Sequence, residues 1–223
     1  MKKLMLIGVS DHGKVVVDIA RNNGYTEIVF LDDNEEFSRC GGYPVEGKTS
    51  EFKNYDCNII MAIGNAKIRE RFQQQINSNQ LPVLIHPNAY VAENVEIGKG
   101  TVVVGGAVIN LGAKIGAGCI INTGVSVDHD CMISDFVHVS VRAHVAGMVK
   151  IGNRTWIGTG ATVNNNLNIC EDCMVGAVVI KDIKGPGTYI GVPVKEKNMF
   201  KHKQGGAKLN SFALRRKRNE VAA

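Results

Sequence analysis

The polar chemistry of this chain is concentrated at Val127-Asp128-His129-Asp130-Cys131, with His138 and His144 shortly after. An imidazole titrates near neutral pH and a neighbouring group can orient it, so His129 is a natural general base. A second concentration lies near the N-terminus, where Gly8-Val9-Ser10-Asp11-His12-Gly13 follows an apolar run. Only Gly8 and Gly13 are glycines, so this is not the G-x-G-x-x-G fingerprint. A short Gly/Ser loop at a helix N-terminus can still hold phosphate through its backbone N–H groups. Asp32-Asp33 ends another apolar run and offers acceptors to a ribose hydroxyl or a uracil N–H. With Asn34 it also reads as a plain polar turn. Cys170 and Cys173 spell C-x-x-C, but no second pair stands at zinc spacing, so no metal is expected.

The element that must carry His129 is a repeat. Every sixth residue from Val91 to Val175 is Ile or Val, fifteen in succession, although these two types supply only 48 of the 223 residues. That period with β-branched residues predicts a solenoid of short strands, each with one aliphatic side chain turned inward. Three faces make a coil of eighteen residues, so Gly147 lies one coil after His129 on the same face. The position after the aliphatic residue is often Gly or Asn (Gly98, Asn110, Gly116, Asn122, Gly152, Gly158, Asn164, Gly176), which suggests corners with positive φ. Cys119, Cys131 and Cys173 fall four residues after the aliphatic position, in the slot held elsewhere by Ala107, Ala113, Ala143 and Ala161, and are expected to be buried.

Residues 1–84 alternate strand-like and helix-like segments, predicting a small parallel sheet of the nucleotide-binding type. Strands are expected at Lys3–Gly8, Ile28–Asp33 and Asn58–Asn65, with helices at Val15–Arg21 and Lys67–Gln75. Ligands of such sheets gather at the carboxyl ends of the strands, where the loop Gly8–Gly13, Asp32-Asp33 and Gly64-Asn65 would meet.

The net charge of +5 is unevenly placed. Residues 195–223 carry nine Lys/Arg against two Asp/Glu, leaving the body at −2, with no basic face for nucleic acid. The segment Leu214-Arg215-Arg216-Lys217-Arg218 is read as a solvated tail or a residue of expression. No apolar run approaches the ~20 residues needed to span a bilayer, and Met1–Gly8 reads as a first strand rather than a leader. The expectation is a cytoplasmic protein whose six cysteines form no disulfide framework.

From Lys3 to about Lys195 the sequence resembles a bacterial sugar-acetyltransferase family, which includes bacillosamine-pathway N-acetyltransferases and sialic acid O-acetyltransferase-like proteins. The resemblance is carried by Gly8–Gly13, Leu31-Asp32-Asp33, Gly64-Asn65 with Arg69, and Ile85-His86-Pro87. It continues through Ile121-Asn122-Thr123-Gly124, His129-Asp130-Cys131, Asp135–Ser140 and Gly187–Pro193. It implies a left-handed parallel β-helix over residues 85–194 behind a Rossmann-like unit over 1–84, with 195–223 as the basic tail. It also implies a homotrimer with active sites between subunits.

By the same resemblance, His129 takes a proton from a sugar amine or hydroxyl and Asp130 orients the imidazole. The nucleophile attacks acetyl-CoA directly, the N–H of Gly147 is the candidate donor to the oxyanion, and His138 lies near the thioester or pantetheine. The front unit would hold a nucleotide-linked sugar through Gly8, Ser10, His12, Gly13, Asp32, Asp33, Gly64, Asn65 and Arg69. Two departures stand out. Val175-Gly176-Ala177-Val178-Val179-Ile180 reaches Lys181-Asp182 two residues early, and Asp11 stands where a phosphate would disfavour it.

The reading is an acetyl-CoA-dependent N-acetyltransferase acting on a nucleotide-linked 4-amino-4,6-dideoxy sugar, with UDP as the expected nucleotide. The alternatives are an O-acetyltransferase of a sugar or sialic acid, a zinc hydratase sharing His129, His138 and His144 between subunits, and a non-catalytic sugar-nucleotide binder.

Overall fold

The computed structural model describes residues 2–196; the basic segment at 214–218 lies outside them. The front unit contains β1 (Lys3–Ile7), α1 (Asp11–Asn22), β2 (Glu27–Leu31), β3 (Arg39–Cys40), β4 (Tyr43–Gly47), β5 (Asn58–Met61) and α2 (Ala66–Gln73). Its sheet runs β3-β4-β2-β1-β5, and only the β3–β4 pairing is antiparallel. The sheet is buried on both sides, which is why its strands read as unbroken apolar runs rather than alternating ones. Leu4, Leu6, Phe30 and Ile60 pack under α1, and Met5, Ile7, Val29 and Ile59 pack against Phe52, Ile76 and Leu81. Gly13 lets α1 close onto the sheet, since a β-carbon there would lie 3.0 Å from the Phe30 ring. The hairpin β3–β4 was not foreseen.

The second unit is a triangular parallel β-helix of two-residue strands. The second residue of each strand is the aliphatic one, so the three faces stack as vertical columns. The first face aligns Ile85, Val103, Ile121, Val139, Ile157 and Val175. The second aligns Val91, Ile109, Val127, Val145 and Val163, and the third Ile97, Ile115, Ile133, Ile151 and Ile169. These residues, with Cys119, Cys131 and Cys173 in the alanine slot, form one continuous core.

The corner geometry differs from the expectation. Positive φ occurs three residues after the aliphatic position, at Gly100, Gly106, Gly112, Gly118, Gly124 and Gly160, and at Asp130, Phe136, Arg142, Met148, Arg154, Asn166 and Asp172. The glycines directly after the aliphatic residue serve close stacking instead. A β-carbon on Gly152 would lie 2.5 Å from the backbone N of Glu171 in the next coil.

The two-residue shortfall has a structural form. Cys173–Val179 is one seven-residue strand that crosses from the first face to the second without a corner, pairing with both Trp156–Ile157 and Thr162–Val163. Val179 therefore stacks on Val163 after sixteen residues, where earlier coils take eighteen. The corner at Gly160 is left uncovered, with no atom within 4 Å of its β-carbon position.

The front unit rests on the first face. Leu84, Val102 and Val104 join the core under α1, and the Asn23 side chain donates to the Ile85 carbonyl.

Candidate active site

His129 sits at the corner between the second and third faces, its side chain half exposed. Its Nδ1 lies 2.9 Å from Asp130 Oδ2, and its backbone N–H donates to Asp128 Oδ1 at 2.8 Å. The positive φ of Asp130 turns the chain so that adjacent side chains can pair. That hydrogen bond, and behind it the charges of Asp128 and Asp130, raises the His129 pKa above the ordinary imidazole value. Nε2 projects over Gly147 one coil on, 2.5 Å from where a β-carbon would stand. The Gly147 carbonyl accepts from Asn166, while its N–H has no acceptor among the described residues. An oriented imidazole beside a free backbone donor is an arrangement suited to proton removal and oxyanion stabilisation.

A second group of predicted residues meets elsewhere. Gly64 and Asn65, after β5, face His138 on the first face across a cleft of about 450 Å³. Its other walls are Ala66, Lys67, Arg154, Trp156, Asp172 and Met174, none singled out from sequence. Asn65 caps α2 by accepting from the Ile68 N–H. Arg154 is clamped by Asp172 at 2.9–3.0 Å and Glu171 at 2.8 Å, and reaches Glu70 at 3.5 Å, tying α2 to the upper coils. His138 Nε2 lies 3.3 Å from Asn122 Nδ2, and burial, then Arg69 and His12, lowers its pKa to about 3. His129 does not line this cleft. Within one chain, the predicted catalytic pair and the predicted sugar-nucleotide residues lie on different edges of the triangle.

Arg69 is placed differently from the expectation. It is 1% exposed, and its guanidinium donates to the carbonyls of Ile63 and Gly64 in the front unit and of Gly118 and Phe136 in the β-helix. With four of its five N–H donors on carbonyls from both units it is a strut between them. Burial and then this cation lower the His12 pKa to about 4, and His12 Nε2 is buried without a partner among the described residues.

The remaining front-unit side chains are largely engaged by the chain. Ser10 caps α1, accepting from Gly13 N–H and donating to the Ala62 carbonyl. Gly8 has φ +99, and a β-carbon there would meet Ile63 at 2.6 Å. Asp32 accepts from the N–H groups of Val9 and Asn34, and Asp33 from Thr49, so the acidic pair helps to build the loop. Asp11 points outward, 97% exposed at its side chain and paired with Lys14 at 2.8 Å, which relieves the conflict with a phosphate. A cleft of about 330 Å³ beside this loop is lined by Lys14, Phe37, Arg39 and Cys40. Phe37 and Arg39 belong to the segment whose folding gave no periodic signal.

A β-helix with a histidine–carboxylate pair at one corner, fronted by a small nucleotide-type sheet, is the architecture of hexapeptide-repeat acyltransferases. Residues 3–76 match the PglD N-terminal domain family. The acetyltransferase domain of PglB from Neisseria gonorrhoeae is 39% identical, covers 88% of this chain and 100% of its own, and superposes with a TM-score of 0.84. It has also been solved with acetyl coenzyme A. PerB, a perosamine N-acetyltransferase from Caulobacter crescentus solved with CoA and GDP-perosamine, is 32% identical over 89% of this chain and 98% of its own, with a TM-score of 0.83. A curated but uncharacterized protein of Acanthamoeba polyphaga mimivirus is 34% identical over 99 residues, a stretch spanning 20% of that protein. The chain belongs to the bacterial sugar acetyltransferase family with a left-handed hexapeptide-repeat β-helix. Among the described residues no helix is long and apolar enough to cross a membrane, and no three His, Cys, Asp or Glu gather as a metal site.

Proposed function

We propose that the protein transfers the acetyl group of acetyl-CoA to the 4-amino group of a nucleotide-linked 4-amino-4,6-dideoxy sugar. The carrying observation is His129, held through Nδ1 by Asp130, with Nε2 over Gly147 and its unpaired N–H. His129 removes the proton from the amine as the nitrogen attacks the thioester carbonyl, and when the C–S bond breaks the CoA thiolate leaves with that proton from His129. Asp130 keeps Nε2 the free nitrogen, and the Gly147 N–H receives the developing oxyanion. The front unit holds the nucleotide, for which UDP remains the expectation; the perosamine enzyme accommodates a GDP sugar. His138, kept neutral by its burial, serves the cleft where sugar and acyl donor meet.

The separation of His129 from that cleft supports a homotrimer in which one chain's base serves its neighbour's cleft. The protein would then work in the cytoplasm, where acetyl-CoA and nucleotide sugars are made. Thiol release from acetyl-CoA with UDP-, dTDP- and GDP-linked 4-amino sugars, set against their 4-hydroxy counterparts, tests the reading. No release with any amino sugar overturns it, and release only with the hydroxy sugars favours O-acetylation.

A further inference from the structure

Resting on this acetyl-transfer reading, we propose that a pocket on the second face, beside His129, reads a hydroxyl on the carbon next to the reacting amine. Ser126 and His144 set this specificity. The pocket, about 310 Å³, is lined by Asn110, Ser126, Asp128, His144, Ala146 and Thr162. It abuts the catalytic corner through the chain itself, because Asp128 precedes His129 and Ala146 precedes Gly147.

Two polar pairs bridge adjacent rungs here. Asn110 Nδ2 donates to Asp128 Oδ1 at 2.8 Å, and Ser126 Oγ lies 2.8 Å from His144 Nδ1. Ser126, His144 and Thr162 are aligned in one outward column, so their polar atoms face the same space. On the third face the outward column pairs Glu96 with Lys114 as an exposed ion pair at 2.8 Å and then holds Met132 and Lys150, so it lacks the hydroxyl–imidazole pairing of the second face.

The free valences of the pocket define its ligand. Asp128 Oδ1 also accepts the His129 N–H, and Oδ2 has no partner among the described residues. With one nitrogen of His144 and the Thr162 hydroxyl, the pocket offers one charged acceptor and two groups that donate or accept. Hydroxyls on a sugar ring match this set. A diphosphate does not, because the Asp128 carboxylate repels it, and the nucleotide therefore belongs at the front unit. With the amine at His129 Nε2, the substituent nearest this pocket is the one on the adjacent ring carbon.

The test compares Ser126→Ala and His144→Gln with the full-length wild type, using nucleotide-linked 4-amino-4,6-dideoxy sugars and their 3-deoxy counterparts. Each variant is expected to raise the sugar KM about three- to tenfold, the cost of one neutral hydrogen bond, with the acetyl-CoA KM unchanged. The 3-deoxy acceptor should show that penalty with the wild type and no further penalty with the variants. An active wild type whose variants keep its sugar KM, or one that ignores the 3-hydroxyl, overturns the pocket assignment alone. A wild type inactive on every amino sugar overturns the acetyl-transfer reading and this assignment with it.

Discussion

Gly147 lies so close beneath the His129 ring that a β-carbon would stand 2.5 Å from Nε2. Gly147, two residues after the ladder position Val145, is therefore glycine for the sake of the imidazole one coil away. Gly147→Ala should push the ring off its Asp130 contact and crowd the approach to the backbone N–H. We expect kcat to fall on the order of 100-fold, the scale of losing a positioned base or oxyanion donor, with Tm nearly unchanged because the overlap is with the half-exposed His129 ring, which can turn away, and not with main chain. Steady-state kinetics beside thermal melts check this.

The pH profile follows from the sign of the His129 shift. Its pKa is raised, first by the Asp130 hydrogen bond, so the imidazolium persists to higher pH than for a free histidine near 6.5. A base must be neutral, so kcat/KM should climb through a midpoint above 6.5. Asp130→Asn should move that midpoint downward and lower the plateau, while His129→Ala should cost at least about 100-fold in kcat. An unmoved midpoint in the Asn variant would show that Asp130 does not control the base.

Arg69 welds the front unit to the β-helix through four carbonyls. Arg69→Met strands those acceptors, and a loss of about 3 kcal/mol is expected, since each buried unsatisfied group costs roughly 1–3 kcal/mol. Arg69→Lys should recover part of it. Because Arg69 also depresses His12 and His138, both imidazoles should titrate higher in the Met variant, as followed by NMR.

Gly152 isolates the stacking role of the ladder glycines. Its β-carbon would meet the Glu171 backbone N at 2.5 Å, an overlap with main chain that no rotamer relieves. Gly152→Ala should destabilise by about 1–3 kcal/mol, the usual range for overpacking. Chemical denaturation measures it, with kcat per folded molecule preserved.

The placement of His129 away from the His138 cleft in a single chain predicts complementation. His129→Ala and His138→Ala proteins, each impaired, should regain activity when unfolded and refolded together, because mixed assemblies contain some intact edges. No gain on mixing would mean the site closes within one chain.

Much of the β-helix was legible because its constraint repeats. One inward β-branched residue per six, copied through five coils, leaves a signal that no local accident imitates, and it also sorted Cys119, Cys131 and Cys173 into the core. The corner φ values were misread by two residues, since glycine marks both strain and close stacking and composition alone does not separate them. The hairpin carrying Arg39 was missed because β3 has two residues outside any repeat and β4 shows no alternation of buried and exposed positions.

The sequence by itself determined the coil, its register, and therefore that Gly147 would lie against His129, because a period of eighteen converts sequence distance directly into vertical stacking. Only the tertiary structure decided what the front-unit polar residues do. Ser10, Asp32, Asp33 and Arg69 are the types that bind nucleotides, and each also makes hydrogen bonds within the chain that positions its remaining groups. Which hydrogen-bonding groups remain free depends on partners far away in sequence, and no local pattern records that.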